Sequence, residues 1–238
     1  MEQGHGTNHG TNDGTNQEHE PTATHRSRGH LHLHPNRGEF EGVLGLLAGL
    51  AMSVGRGRSA RLVADLAGVG PGDRVVDVGS GPGRLLKEAA ERGAEAVGVE
   101  PSGQMRRVAG WRTPASLQAR VRVLDGTAER IPLEDGTATV VSAVASFHHW
   151  TDPEAGLAEV RRVLRPGGRV LIAERLARPG GWLRHHAMTW EQGQRLVTQA
   201  ELAGFSDVTA GSHALGRGRV LAVQARRPAG PTDAGTAP

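Results

Sequence analysis

Cysteine and tyrosine are absent from the 238-residue sequence, which also has only three phenylalanines and four tryptophans. Without cysteine there is no disulfide framework, no cysteine-ligated zinc or iron–sulfur cluster and no thiol nucleophile. The longest apolar run, Val43–Met52, contains two glycines and is much shorter than the roughly 20 residues that a membrane-spanning helix needs. No charged-then-apolar signal segment opens the chain, so we expect a cytoplasmic protein with no membrane partner.

Lysine is almost absent as well, because Lys87 is the single lysine among the 28 basic residues. The arginines are spread along the chain, and few aromatic side chains accompany them. Proteins that bind nucleic acids typically have clustered basic residues and, for single strands, aromatic side chains that stack on bases. We therefore expect no nucleic-acid partner.

The two ends of the chain are poor in apolar residues. Residues 1–38 contain four hydrophobic residues, seven of the twelve histidines and a Gly-Thr-Asn repeat, and residues 228–238 are mostly Pro, Gly, Ala and Thr. Such segments cannot bury enough apolar surface to offset the entropy of ordering them. We expect disordered tails at 1–38 and 228–238 around one domain, 39–227, that starts with a helical cap. A metal-collecting role for the tail, through His30, His32 and His34, is an alternative function, and no other metal site is expected.

Short β-like runs alternate with helical patterns from Asp73 onward, which is typical of a parallel sheet with crossover helices. Strands are predicted at Arg74–Val78, Ala96–Val99, Val121–Leu124, Thr139–Val144, Arg169–Ala173, Ser206–Thr209 and Val220–Gln224. Helices are predicted at Glu41–Ser53, Ser59–Ala67, Arg84–Arg92, Ser102–Gly110, Pro153–Leu164 and Glu191–Ala203. A doubly wound sheet binds ligands at the carboxyl ends of its strands, so the residues at those ends matter most.

The first predicted strand ends in a glycine-rich loop with Gly79, Gly81 and Gly83. Glycines allow a tight turn and close approach of a ligand to the backbone, and the helix that follows offers unpaired N–H groups. The loop is not the dinucleotide fingerprint, because Arg84 stands where G-x-G-x-x-G requires its last glycine. The second strand ends in Glu100, a carboxylate placed to hold the two hydroxyls of a ribose.

The third and fourth predicted strands also end in polar segments. Asp125–Glu129 is either an ordinary polar loop or a segment that reads an adenine edge. The pair His148 and His149 follows the fourth strand. Histidine accepts a proton near neutral pH, but two adjacent histidines can also be structural.

Together with Leu164–Leu171, these segments resemble the successive motifs of class I S-adenosylmethionine-dependent methyltransferases, and most of all small-molecule enzymes such as those of ubiquinone biosynthesis. The resemblance covers about Val75–Glu174, with a weaker match at Ala203–Val208. It implies an α/β, Rossmann-like, doubly wound sheet of seven mostly parallel strands, with an antiparallel final strand and helices on both faces. It also implies S-adenosylmethionine as cofactor and a small-molecule methyl acceptor.

The resemblance also implies roles for individual residues. The glycine backbone would cradle the methionine end of the cofactor, Asp77 would anchor that loop, and Glu100 would hold the ribose. Thr127 departs from the family, which commonly has Asp there to accept the adenine amine. The complete expected cofactor set is Asp77, Gly79, Ser80, Gly81, Gly83, Glu100, Pro101, Met105, Thr127, Ala128 and Ala145.

Methyl transfer from a sulfonium requires mainly that the acceptor be held in line and away from water. For an acceptor that must lose a proton, His148 or His149 is the expected base; for an amine, the pair would orient it. Acceptor specificity is expected from the helical cap and from a short lid, Arg175–Trp190, which contains Trp182, His185 and His186. A cofactor-binding protein without catalysis is the alternative, a dehydrogenase is disfavoured by the glycine spacing, and the oligomeric state is left open.

Overall fold

The computed structural model describes residues 57–177 and 187–230, which form alternating helices and strands. The α-helices are α1 Gly57–Leu66, α2 Arg84–Glu91, α3 Gly103–Arg112, α4 Pro153–Val163 and α5 Trp190–Leu202. The strands are β1 Arg74–Val78, β2 Glu95–Val99, β3 Val121–Leu124, β4 Ala138–Val144, β5 Leu164–Arg175, β6 Ser206–Leu215 and β7 Gly218–Arg226. Two single 3₁₀ turns, Ala115–Leu117 and Phe147–His149, complete these elements.

The strands form one seven-stranded sheet in the order β3-β2-β1-β4-β5-β7-β6. Neighbouring strands from β3 to β5 are parallel, whereas β7 runs antiparallel to both β5 and β6. The Rossmann-like fold class predicted from the sequence is thereby confirmed, including the antiparallel final strand.

Each face of the sheet carries its own apolar cluster, because successive strand residues point to opposite sides. Val140 joins a cluster with the buried residues of α1 and α2, whereas its neighbour Val141 joins a cluster with those of α4 and α5. The central strands are buried on both faces, which explains why they are nearly continuous runs of Val and Ala.

Local sequence signals define several helix starts. Asp152 precedes α4 and accepts hydrogen bonds from the backbone N–H groups of Glu154 and Ala155, and Pro153 occupies the first helical position. Thr189 and Gln192 form a capping box at the start of α5. These residues fix where the helices begin and therefore which residues remain in the loops at the strand ends.

Two strands are longer than the sequence predicts. β5 begins at Leu164, which pairs with Ala138, and the regular register resumes at Arg169 after an irregularity. β6 continues to Leu215 because it forms a hairpin with β7, closed by Gly216 at a φ of 57°. Its last residues have little β propensity, so the pairing with β7 decides their conformation. The remaining predicted elements that fall in the described residues agree with the structure to within two residues at each end.

Some expectations lie outside the described residues. They are the first tail (1–38), the helix at Glu41–Ser53, most of the helical cap, the part of the lid that contains Trp182, His185 and His186, and residues 231–238.

Candidate active site

The carboxyl ends of β1 and β4 lie side by side, and the strand order reverses between them. From β1 the chain proceeds outward through β2 to β3, and then returns to β4 on the other side of β1. Crevices at such a reversal are the usual ligand sites of open α/β sheets. The glycine loop, Glu100 and the two histidines all follow strands that end at this edge.

The three glycines of the loop after β1 adopt left-handed backbone conformations, with φ values of 71° at Gly79, 51° at Gly81 and 75° at Gly83. A Cβ atom on Gly79 would lie 2.5 Å from Cβ of Ser146, and one on Gly83 would lie 2.9 Å from Cβ of Ala109. No heavy atom comes within 4 Å of the same position on Gly81. Gly79 and Gly83 therefore serve packing, while Gly81 faces open space that a ligand can enter.

Glu100, directly after β2, ties this loop to the next one. Its buried carboxylate accepts hydrogen bonds of 2.9 Å from the backbone N–H of Gly81 and of 2.9 Å from that of Ser102. Burial raises the pKa of Glu100, although the two backbone donors and the nearby Arg106 charge act in the opposite direction. Two carboxylate oxygens offer about four acceptor positions, so Glu100 retains capacity for a ligand hydroxyl.

Asp77 lies inside the sheet below the loop. Its carboxyl group accepts a 3.2 Å hydrogen bond from Oγ of Ser142 on β4. Burial and, to a smaller extent, the charge of Glu100 raise the pKa of Asp77 to about 7, against the opposing effect of the hydrogen bond from Ser142. In the described structure the hydrogen bond that reaches the carboxyl group of Asp77 comes from β4, whereas the loop itself is tied to Glu100. That Asp77 anchors the loop stays a prediction.

Ser80 has a buried hydroxyl that finds no hydrogen-bond partner among the described residues. The absence of a side chain at Gly98 makes room for it, because a Cβ there would lie 2.5 Å from Oγ of Ser80. An unpaired buried hydroxyl is costly unless a ligand or water satisfies it. Together with the open space at Gly81 and the spare acceptor capacity of Glu100, it fits a polar ligand at this loop.

The expected adenine side lies beyond Glu100. Pro101 is exposed and Met105 is buried on α3, whose first turn is capped when Ser102 accepts a hydrogen bond from the Met105 backbone. Thr127 is exposed and pairs through its backbone with Arg130, while the neighbouring Ala128 is buried.

Arg106, which sequence reasoning missed, joins the loops that follow β2 and β3. Its guanidinium donates to both carboxylate oxygens of Asp125, at 3.0 and 3.2 Å, and to the carbonyl oxygens of Glu100 and Pro101. A bidentate arginine of this kind holds planar groups in a fixed geometry. An arginine on the helix after Glu100 was the available sequence signal, but its carboxylate partner lies 19 residues away.

The histidine turn forms the wall of the crevice on the β4 side. Ala145 has a φ of 52° and is exposed, and Oγ of Ser146 donates a 2.6 Å hydrogen bond to the carbonyl oxygen of Val78. The turn therefore begins in contact with both the end of β1 and Gly79. The His148 and His149 rings follow, with centroids 4.0 Å apart and planes tilted by 45°.

Glu174, near the end of β5, is the second residue that sequence reasoning missed. Its buried carboxylate lies with Oε2 3.1 Å from Nδ1 of His148, and Oε1 accepts a 3.4 Å hydrogen bond from the His148 backbone N–H. The signal in the sequence was a carboxylate at the carboxyl end of a predicted strand. His149 is the more exposed of the two histidines.

None of the helices in residues 57–177 and 187–230 combines the length and the apolar character needed to cross a bilayer. Within the same two ranges, no group of three or more His, Asp or Glu side chains is placed to hold a metal ion.

Comparison with known proteins identifies the fold and the domain. A family profile described as "Methyltransferase domain" matches residues 76–172. An uncharacterized methyltransferase of Mycobacterium tuberculosis is 43% identical over 116 residues, which cover 47% of this chain and 44% of that protein. A demethylmenaquinone methyltransferase of Renibacterium salmoninarum is 32% identical over 124 residues, covering 52% of this chain and 50% of that protein.

The matches therefore span about half of the length of these relatives. A crystal structure of a SAM-dependent methyltransferase from Aquifex aeolicus superposes with a TM-score of 0.64 and 21% identity, covering 76% of this chain and 98% of the other. This likeness shows that the fold is shared. Taken with the strand order, these matches show a methyltransferase domain at residues 76–172 and a fold shared with an S-adenosylmethionine-dependent methyltransferase.

Proposed function

We propose that this protein transfers a methyl group from S-adenosylmethionine to a small organic acceptor, at oxygen, nitrogen or carbon. The observation that carries the proposal is the hydrogen bond from Gly81 N–H to Glu100 at the strand reversal, beside the histidine turn. It holds an open glycine loop and a carboxylate together at one edge of the sheet. A demethylmenaquinone methyltransferase among the relatives supports a small organic acceptor.

The residues that would hold the cofactor are those described above at the carboxyl ends of the strands. The backbone of Gly79, Gly81 and Gly83, with the Ser80 hydroxyl, would hold its amino-acid end, and Glu100 would accept the ribose hydroxyls. The segments at Pro101–Met105 and Thr127–Ala128 would enclose the adenine, Asp77 would anchor the glycine loop, and Ala145 would line the crevice. When bound, S-adenosylmethionine supplies an electrophilic methyl group on a sulfonium.

The protein's contribution to the reaction is largely positional. A donor that is already activated needs an acceptor held in line with the methyl group and shielded from water. The histidine turn stands on the β4 side of the crevice, where His148 or His149 would take a proton from the acceptor or orient it. The lid and the helical cap, most of which lie outside the described residues, would set which acceptor enters.

Calorimetric titration of the full chain with S-adenosylmethionine and, separately, with NAD tests the cofactor assignment. Binding of S-adenosylmethionine with a dissociation constant in the micromolar range, and no binding of NAD, is the expected result. Failure to bind S-adenosylmethionine would overturn the proposal, and preferential binding of NAD would favour a dehydrogenase.

Replacement of both His148 and His149 by Ala tests the role of the turn. Turnover is expected to fall while the affinity for S-adenosylmethionine stays nearly unchanged. A large loss of affinity would assign the pair to the cofactor site instead. Binding of S-adenosylmethionine without methyl transfer to any acceptor, even in the unaltered protein, would favour the non-catalytic alternative.

Two further expectations stay predictions. A metal-collecting tail would show as nickel or zinc binding that is lost when His30, His32 and His34 are replaced by Ala. The cytoplasmic location is tested by fractionation of cells that produce the full chain.

A further inference from the structure

One carboxylate holds both the ring and the backbone of His148. Oε2 of Glu174 lies 3.1 Å from Nδ1 of the imidazole, and Oε1 accepts the hydrogen bond from the His148 backbone N–H. His148 lies in the turn after β4 and Glu174 lies on β5, 26 positions apart in the sequence. Glu174 is 2% exposed, so water competes little with the histidine for its oxygens.

The contact with Glu174 favours the tautomer of His148 that carries its proton on Nδ1. An ionised carboxylate only accepts hydrogen bonds, so Nδ1 facing Oε2 must be the N–H donor, and a neutral imidazole then keeps its lone pair on Nε2. Nε2 of His148 is buried. A carboxylate behind Nδ1 also stabilises the imidazolium that forms when Nε2 accepts a proton. His149 is exposed, and its ring lies against that of His148 at a tilt of 45°.

We propose that Glu174 is a positioning residue that holds His148 in the Nδ1–H tautomer, which makes Nε2 of His148, and not His149, the base that takes the proton from the methyl acceptor. This inference rests on the proposed methyl transfer and narrows the class of methyl acceptor. A base is useful only to an acceptor that must lose a proton, so the acceptor class is a hydroxyl compound or an acidic carbon, such as a phenol or an enol, rather than a tertiary amine or a thioether.

The step balances within the proposed reaction. The proton of the acceptor's O–H or C–H bond goes to Nε2, and the electron pair left on oxygen or carbon forms the bond to the methyl group. The electron pair of the methyl–sulfur bond returns to sulfur, which becomes an uncharged thioether. His148 leaves the step as an imidazolium paired with Glu174 and loses its proton to solvent afterwards.

Nitrogen-15 NMR of the full chain with labelled histidines measures the tautomer without any acceptor. The His148 signals are assigned as those that disappear in His148→Asn. In the unaltered protein at neutral or mildly alkaline pH, the neutral ring is expected to carry its proton on Nδ1. In Glu174→Met, which has similar length and only a weakly accepting thioether sulfur, that preference is expected to be lost. Glu201→Gln, at an exposed position on α5, is the matched control and should leave the His148 signals unchanged.

Two results would each overturn the inference: a proton on Nε2 in the unaltered protein, or an unchanged Nδ1–H signal in Glu174→Met. The measurement on the unaltered protein requires no Glu174 variant, so it tests the inference even if that variant does not fold. Both are independent of the proposed function, which fails separately if S-adenosylmethionine does not bind.

Kinetics with a hydroxyl acceptor distinguish positioning from a purely structural role. Glu174→Met and His148→Gln are expected to lower kcat by roughly 100-fold or more, in the range usual for loss of a general base, with unchanged affinity for S-adenosylmethionine. The decrease for His149→Gln is expected to be about tenfold smaller than that for His148→Gln. Equal losses for the two histidines, or a loss confined to KM, would contradict the assignment.

Discussion

At the scale of single residues, Glu100 is the side chain on which the proposed cofactor site depends most directly. Glu100→Gln replaces one acceptor oxygen by an NH₂ group, which must face either Gly81 N–H or Ser102 N–H, both of them donors. Loss of a charge-assisted contact costs about 1.5–3 kcal/mol, so we expect the affinity for S-adenosylmethionine to fall roughly 10- to 100-fold. Calorimetric titration measures it.

Glu95→Gln is the matched control for this substitution. Glu95 is exposed and is the first residue of β2, whereas Glu100 follows the last residue of that strand. Its replacement should leave the affinity unchanged. Equal affinities in the Glu100→Gln variant and the unaltered protein would refute the role of Glu100.

Asp77 makes stability depend on pH in an unusual direction. Because burial raises its pKa from 3.8 to about 7, the folded protein holds this proton more tightly than the unfolded chain does. The associated stability is fully present below about pH 4 and is lost as the pH rises through about 7. Asp77→Asn, which cannot ionise, should reduce this loss by an amount on the order of a few kcal/mol.

Urea unfolding without cofactor, at about pH 5 and about pH 8, measures this effect. The free energy of unfolding should fall less between the two pH values in Asp77→Asn than in the unaltered protein. Ser142 can still donate to the Asn side-chain oxygen, so the local geometry is kept. Parallel pH profiles for the two proteins would show that Asp77 is already ionised at pH 5.

At the scale of elements, alanine substitutions at two glycines distinguish the cost of backbone strain from the loss of ligand contact in the glycine loop. Gly81 and Gly72 both have positive φ values, 51° and 82°, and neither has a heavy atom within 4 Å of the place of a Cβ. Substitution of either by Ala should therefore cost about 1–2 kcal/mol through left-handed strain alone. We expect only Gly81→Ala to weaken S-adenosylmethionine binding, because its methyl group enters the open side of the loop.

Calorimetric titration and urea unfolding of both variants test this expectation. Similar losses of stability with a loss of affinity in Gly81→Ala alone would support the open loop as the cofactor cradle. If Gly81→Ala binds as tightly as Gly72→Ala, the cofactor does not approach the loop at Gly81.

Helix α4 supports the histidine turn through Trp150. A Cβ atom on Gly156 would clash with the ring of Trp150. The Trp150 ring also packs against that of Phe147, with ring centroids 4.9 Å apart. In a helix, Gly→Ala usually stabilises by up to about 1 kcal/mol, but Gly156→Ala must displace the indole. We expect a net loss of roughly 1–3 kcal/mol, as for an overpacked core.

Gly110→Ala in α3 is the control for Gly156→Ala, because no heavy atom lies within 4 Å of its Cβ position. It should leave stability unchanged or raise it by up to about 1 kcal/mol. Thermal unfolding compares the two variants. A stabilising effect of Gly156→Ala would mean that Trp150 moves aside without cost.

The elements differ in how well the sequence predicts them, and the physical reason is the range of the interactions. β1 and β3 have the predicted bounds, since their apolar runs are flanked by turn residues. The residues Ala210–Leu215 have no such pattern and become a strand only by pairing with β7.

Short-range and long-range interactions differ in the same way within the site. The glycine loop and Glu100 are recognisable from adjacent residues and their position after a strand. Glu174 and Arg106 act through partners 26 and 19 residues away, and only the folded structure brings them together.

At the scale of the whole molecule, the two apolar clusters share one sheet. Neighbouring strand residues such as Val140 and Val141 contribute to opposite clusters, so neither face can lose its packing without disturbing the strands on which the other depends. The proposed active site lies at the edge of these strands. A small domain built in this way should unfold in one cooperative transition.

Val140→Ala and Val141→Ala test this cooperativity from the two faces. Trp150 packs against the Val141 cluster, so it becomes the reporter when Trp111, Trp182 and Trp190 are replaced by Phe. Each Val→Ala substitution removes buried methyl groups and should cost roughly 1–3 kcal/mol.

We expect both substitutions to lower the unfolding midpoint seen by Trp150 fluorescence as much as that seen by far-UV circular dichroism, although Val140 lies on the other face. Thr209→Ala, at an exposed position on β6, should change either midpoint little. Separate midpoints in Val140→Ala would show that the two faces unfold independently.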